Sequence, residues 1–120
     1  MAAPNVVNVS TITAKTTAGE LSTTLTTSLL ANAAASGKLI KINTIIIANK
    51  DGTNAADATL SFYDGSTDFY LISTIEVPED DQIAIVDKGT QIYLEEGHEI
   101  RGGASATGDL DYIISYEEIS

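Results

Sequence analysis

Cysteine is absent from this 120-residue chain, so neither a disulfide framework nor a thiolate metal site is open to it, and its fold rests on packing and hydrogen bonding alone. Tryptophan is absent as well, which weakens any reading as a sugar-stacking lectin. Basic residues are scarce: 6 Lys and Arg stand against 17 Asp and Glu, a formal net charge of -11. Nucleic-acid affinity comes largely from Lys and Arg releasing counterions, so DNA and RNA are not expected partners. No apolar run approaches the roughly 18 residues of a membrane-spanning helix; the longest, Ile45 to Ala48, is strand-sized. A membrane partner is not expected. Met1 to Asn8 offer neither the basic nor the apolar region of a secretory signal, so no export by a classical signal is expected.

Recognisable chemistry is scarce too. There is no G-x-G-x-x-G, no Walker lysine loop, no G-x-S-x-G elbow and no EF-hand loop. The one histidine, His98, follows the turn Glu95-Glu96-Gly97 and reads as an exposed turn residue, because catalysis needs a nucleophile or pocket beside it that the sequence does not specify. Asp64, Asp68, Asp80, Asp81, Asp109 and Asp111 are hard oxygen donors without calcium-loop spacing. No cofactor is expected, and the chain reads as a non-enzyme.

What is present is β-strand patterning punctuated by turns. Leu39 to Asn49 is the longest strand; Ile40, Ile42, Ile46 and Ala48 form one face and Lys41, Asn43, Ile45 and Ile47 the other. The first face is read as core. The second turns from polar to apolar halfway, so Ile45 and Ile47 are either covered by a second layer or part of an interface. Asp51-Gly52 predicts a positive-φ turn. Ala58 to Tyr63 and Asp68 to Val77 predict a hairpin with Phe69, Leu71, Ile75 and Val77 facing inward, ended by Pro78. Short strands follow at Gln82–Val86, Gln91–Leu94 and Glu99–Ala106, the last interrupted by Gly102-Gly103, which marks a bulge or a close backbone approach. The closing strand Leu110–Ile119 sets Leu110, Tyr112, Ile114 and Tyr116 on one face.

Earlier in the chain the signals are thinner. Leu21, Leu25 and Leu29 fit strand and helix spacing alike, and four threonines tip Glu20 to Leu30 toward strand. Residues 31–38 read as a loop. Residues 1–19 read as an N-terminal arm or edge strand, and 20–120 as the domain. The whole is all-β: a single antiparallel β-sandwich or jelly roll of about eight or nine short strands with an extended arm. Charge divides unevenly, with 3 acids against 4 lysines in residues 1–60 and 14 acids against Lys88 and Arg101 in residues 61–120. That asymmetry is either a solvated surface or an outward acidic face opposite a docked, near-neutral one.

A set of short motifs carries a resemblance. Lys41-Ile-Asn43 with Ala48-Asn49, Asp51-Gly-Thr-Asn-Ala-Ala56, Tyr70-Leu-Ile, Val77-Pro78, Ile92-Tyr-Leu-Glu-Glu-Gly97, Ala104-Ser-Ala106, Gly108-Asp-Leu110 and Ser115-Tyr-Glu-Glu-Ile-Ser120 together resemble the small virion structural proteins of tailed bacteriophages, notably those of marine cyanobacteria. The resemblance covers about residues 38–120. Proteins of that type usually carry an aspartate after the glutamate-glycine turn, where this chain has His98. The resemblance implies a β-sandwich that decorates or cements a capsid on the outer surface of the virion, with the major capsid protein or other virion proteins as partners. It also implies a homo-oligomer, a trimer being favoured, after synthesis in the host cytoplasm. The alternative is a neck, tail or fibre adaptor or a glycan-binding module. Contact residues expected from this reading are Val6, Val7, Val9, Ile12, Ile45 and Ile47.

Overall fold

The computed structural model describes residues 11–87 and 89–120, so Val6, Val7 and Val9 lie outside the described residues. Within them run nine strands: β1 Ile12–Glu20, β2 Ser28–Ala31, β3 Leu39–Asn49, β4 Ala56–Tyr63, β5 Asp68–Val77, β6 Gln82–Val86, β7 Ile92–Leu94, β8 Glu99–Ala104 and β9 Leu110–Ile119. They pair antiparallel into two sheets. Sheet 1 has the order β1-β9-β3-β6, with β7 also on β3; sheet 2 has the order β2-β8-β4-β5. The sheets pack face to face as a β-sandwich around Leu21, Ile42, Ile45, Ile47, Leu60, Leu94, Ile100, Leu110 and Ile114, all fully buried. Burying apolar surface from both inner faces is the main driving force for such a fold.

β3 organises sheet 1, and its faces differ from the simple alternation. Ile42 pairs with Tyr116 and Thr44 with Ser115, leaving Asn43 as an extra residue opposite none. A bulge of one residue reverses which side each later side chain takes. Ile40 and Ile42 therefore point inward before it and Ile45 and Ile47 after it, both of the latter at 0% exposure. Ile46 and Ala48, expected in the core, are half-buried on the outer face. Ile45 and Ile47 are covered by the second sheet, and as core residues they cannot meet a partner; that correction follows from the bulge. The far edge of β3 is shared, its first half paired with β7 and its second with β6, where a second irregularity sits between Ile45 and Ile46.

The threonine-rich segment after β1 is a turn rather than a strand. Leu21 ends the β1 ladder by donating its N–H to Leu110 O and fills the core, after which Ser22 Oγ accepts from Thr24 N and Thr27 Oγ1 donates to Thr24 O. Hydroxyls that satisfy nearby backbone compete with strand pairing, which is why the β-branched count misleads here. The turn lies on Gly103, where a Cβ would come within 2.7 Å of Thr24 O; at Gly102 it would come within 2.6 Å of Thr59 O. The glycine pair is thus a close backbone approach between β8 and its neighbours. Gly52, expected at positive φ, is not among the left-handed glycines Gly37, Gly65, Gly97 and Gly108. The Asp51 carboxylate shapes that loop instead, accepting from Thr53 N and Asn54 N, and the loop carries the chain from sheet 1 to sheet 2.

Two buried asparagines fasten loops to strands. Asn49, 4% exposed, donates to Val77 O and Asn54 O and accepts from Asp51 N. Asn32, 3% exposed, donates to Leu94 O and Lys38 O and accepts from Ser36 Oγ. Each amide is satisfied on both sides, as a buried polar group must be.

The hairpin of β4 and β5 forms as the sequence predicts, with Phe62 opposite Phe69 and Ala56 opposite Val77. Its inner face is less complete. Val77 is buried, but Phe69 is 55% and Ile75 44% exposed. β5 is the outermost strand of sheet 2, and the short β6 is what lies across from it, so part of its inner face has no cover. The closing strand matches its pattern: Leu110 and Ile114 are buried, and Tyr112 and Tyr116 pack against the core.

Candidate functional site

The four outer edges of the two sheets differ in what they leave open. β2 is four residues long, with a register shift between Ser28 and Leu30. β6 and β7 split the far edge of sheet 1 into two short pieces. β5 is interrupted by shifts around Leu60 and Ser61 of its partner, and Thr74 takes φ 53°, a conformation β-branched residues avoid. β1 has none of these features. It pairs with β9 in unbroken register from Ile12 opposite Ile119 to Glu20 opposite Asp111.

Hydrogen bonds at the ends of that ladder fix which backbone groups are spent. Thr11 and Ser120 exchange both N–H···O bonds, each 2.9 Å, and Leu21 N–H donates to Leu110 O. Hydrogen-bonded pairs alternate along an antiparallel ladder, so Thr13, Lys15, Thr17 and Gly19 face β9. Ile12, Ala14, Thr16, Ala18 and Glu20 turn their N–H and C=O groups to the other side, where no strand lies among the described residues. All of β1 is exposed apart from half-buried Thr17 and Gly19.

Charge along this flank is internally balanced. Lys15 Nζ and Lys38 Nζ reach the same Glu118 oxygen at 3.1 and 3.3 Å. Lys50 bridges Glu20 and, at 3.0 Å, Asp111. The Lys15 hydrogen bond, with that of Lys38, holds the Glu118 carboxyl below the usual carboxylate range. Glu20 and then Asp111 hold the Lys50 ammonium above its ordinary value. These pairs also bear on the acidic half of the sequence. β9, acidic, lies between β1 and β3, whose flanks carry the lysines, so the two halves of the chain interleave and do not form two opposed faces.

The outer face of sheet 1 beside the edge is partly apolar. Ala18, Ile113, Ile46 and Ala84 occupy one row across β1, β9, β3 and β6, and Ile113 is 41% exposed. A second row joins Ile12, 58% exposed, to Ile119 and Leu39, both buried. Of the expected contact residues, Ile12 lies on this surface, whereas Ile45 and Ile47 are interior. Ala14, Thr16, Ala18 and Ile113 were not singled out from sequence. The signal for them is the run Ile12 to Glu20 itself: no proline, one lysine and one glutamate, and otherwise small and β-branched residues.

Elsewhere the polar clusters are turned inward on themselves. Arg101 stacks over Tyr63, 3.4 Å from the ring centre, and pairs with Asp68 at 3.5 Å and Glu99 at 3.4 Å. Exposed Tyr70 and Tyr93 sit in different sheets, on β5 and β7, and do not share a platform. His98 is half-buried, not an exposed turn residue: Nδ1 accepts from Glu95 N–H and the ring meets Phe62 edge-on at 5.0 Å. Asp64 caps its own turn through Ser66 N and Thr67 N. Among the described residues no group of three or more His, Asp or Glu side chains is arranged to hold a metal. No protein-family model matches the chain, and no curated protein matches it.

Proposed function

We propose that this protein is a non-enzymatic accessory component of a tailed-phage virion that decorates or cements the capsid by joining a protein lattice on its outer surface. The observation that carries this reading is the edge of β1, nine residues of exposed strand in unbroken register that no strand covers among the described residues, on a sandwich whose other edges are short or bulged. Strand addition to such an edge supplies main-chain hydrogen bonds along its whole length. A module that binds an assembled lattice better than free subunits stabilises the lattice by mass action. The resemblance of residues 38–120 to small virion proteins supports the same class of role. Its partners are then the major capsid protein, other virion proteins and further copies of itself.

The test is cryo-electron microscopy of particles from the phage that encodes the chain, with copy number measured alongside. The expected result is two-layered density of this size repeated over the head, and loss of that density from particles assembled without the chain. Absence of the chain from purified particles would overturn the proposal. A few copies confined to neck, tail or fibre would favour the second reading, an adaptor or glycan-binding module. Tyr70 supports that second reading: it is 66% exposed on β5, next to the Asp68–Arg101 pair.

A further inference from the structure

We infer that the occupant of the β1 edge is a second copy of the same chain, paired antiparallel about a two-fold axis at Thr16. The inference rests on the reading of β1 as a joint and names what fills it. Three features lead to it. First, the free backbone groups belong to Ile12, Ala14, Thr16, Ala18 and Glu20, an odd-membered set centred on Thr16. Turning the strand about that centre places Thr16 opposite Thr16, Ala14 opposite Ala18 and Ile12 opposite Glu20. Every free N–H then meets a free C=O, as the hydrogen-bonded pairs of an antiparallel ladder require. A shift of two residues in either direction leaves groups at an end of the edge unmatched.

Second, the side chains permit this register. Alanine faces alanine and threonine faces threonine, a favourable cross-strand pair, and no like charges stand directly opposite. Sliding the pairing so that the centre falls on Lys15 would set lysine against lysine. Across the joint the apolar row Ala84, Ile46, Ile113 and Ala18 continues into Ala14 of the second copy. Third, self-association of a chain with a net charge of -11 needs a flank that is not itself acidic. This is such a flank, since Lys15, Lys38 and Lys50 offset Glu118, Glu20 and Asp111. The β5 side carries Asp57, Asp64, Asp68, Glu76, Glu79, Asp80 and Asp81, with Arg101 as a cation paired to it among the described residues. An edge that pairs with itself is isologous and closes as a dimer. A trimer would need β1 to meet a different edge.

The test uses the full chain, which has no native cysteine. Facing Cα atoms of a hydrogen-bonded antiparallel pair lie about 5.5 Å apart, within the roughly 4.4–6.8 Å that a disulfide spans. Thr16→Cys should therefore give a covalent dimer under mild oxidation. Ile12→Cys should not, because eight residues of offset put the twin positions roughly 27 Å apart. Sedimentation velocity should find the parent chain dimeric. Thr16→Pro removes a free edge N–H and leaves the β9 ladder intact, so it should weaken dimerisation roughly tenfold or more while the thermal midpoint of the monomer stays near that of the parent. A monomeric or trimeric parent, efficient crosslinking at position 12 but not 16, or an undisturbed Thr16→Pro dimer would each overturn the inference. Particle binding separates it from the wider reading. If a monomeric parent binds heads and Thr16→Pro does not, β1 is still the joint but its occupant is another virion protein. If the dimer forms and does not bind particles, the dimer stands and the virion role falls.

Discussion

β1 and β5 are both edge strands, nine and ten residues long, and each presents a row of backbone groups to its surroundings. Their treatment is opposite. β5 is bent by two register shifts, carries Thr74 in a left-handed conformation, and is flanked by acids that repel a second copy. β1 keeps unbroken register, is electrically balanced and carries small side chains, Ala14, Thr16 and Ala18, at the middle of its outer face. Bulges, charge and brevity are the ordinary means of keeping edges from pairing, and here they occur at every edge but one. Among the described residues, the same sandwich thus closes three of its sheet edges against association and leaves the fourth, the outer side of β1, without a paired strand.

That contrast holds only while β3 keeps its bulge, because β3 carries β9 and, through it, β1. The largest expected effect tests this directly. Ile45→Ala removes a fully buried side chain and should cost about 2–5 kcal/mol, whereas Ile46→Ala, on the half-buried outer face, should cost about 1 kcal/mol or less. Urea denaturation of the two variants decides the matter. Simple alternation through Asn43 predicts the reverse order, and finding it would undo the register of sheet 1.

The bulge also marks where sequence reading reaches its limit. Strand limits at Leu39–Asn49, Asp68–Val77, Gln82–Val86 and Leu110–Ile119 were legible because turn residues and Pro78 bracket alternating runs, and the inward face of β9 followed from that alternation. Nothing local to Asn43 announces an extra residue; it is extra only relative to Ser115 and Tyr116, far away in the chain. The same holds for Phe69 and Ile75, whose inward direction was legible but whose lack of cover depends on β5 being outermost. The joint at β1 was half legible. Composition suggested an arm or edge strand, but which groups are free is set by the ladder to β9. The interleaving of acidic and lysine-bearing strands is likewise a property of topology.

Smaller effects concern how β5 is kept bent. Thr59 is 6% exposed, and its Oγ1 accepts the Thr74 N–H at 3.0 Å, holding the kink. Thr59→Val keeps the volume and removes the acceptor, so stability should fall by about 1 kcal/mol. Amide exchange should quicken at Ile72 to Ile75 and remain unchanged in β1. Uniform quickening across both edges would mean that β5 is not an independent device. Thr74→Gly acts the other way. It relieves about 1–2 kcal/mol of left-handed strain against roughly 0.5–1 kcal/mol of added chain entropy, a net gain of about 0–1.5 kcal/mol. A clear loss of stability would show that the kink is not strained.

The smallest effect belongs to the β1 flank and is set by pH. Glu118 titrates below the ordinary carboxylate range because Lys15, and with it Lys38, holds the charged form. A group with a depressed folded value stabilises most above its unfolded value, about 4.3 for glutamate, and that contribution is lost as pH falls through the lower folded value. These pairs are exposed on the lysine side, so the effect on monomer stability is slight. Its effect on pairing is larger. In the two-fold register Lys15 lies diagonal to its twin, and Glu118 on each side is what offsets that repulsion. Acidification should therefore weaken the dimer before it weakens the fold, and Glu118→Gln should bring the weaker dimer to neutral pH, with the difference from the parent fading in acid. Sedimentation against pH for both chains measures this. Parallel curves for parent and Glu118→Gln would mean that Lys15 does not approach its twin, and would move the axis away from Thr16.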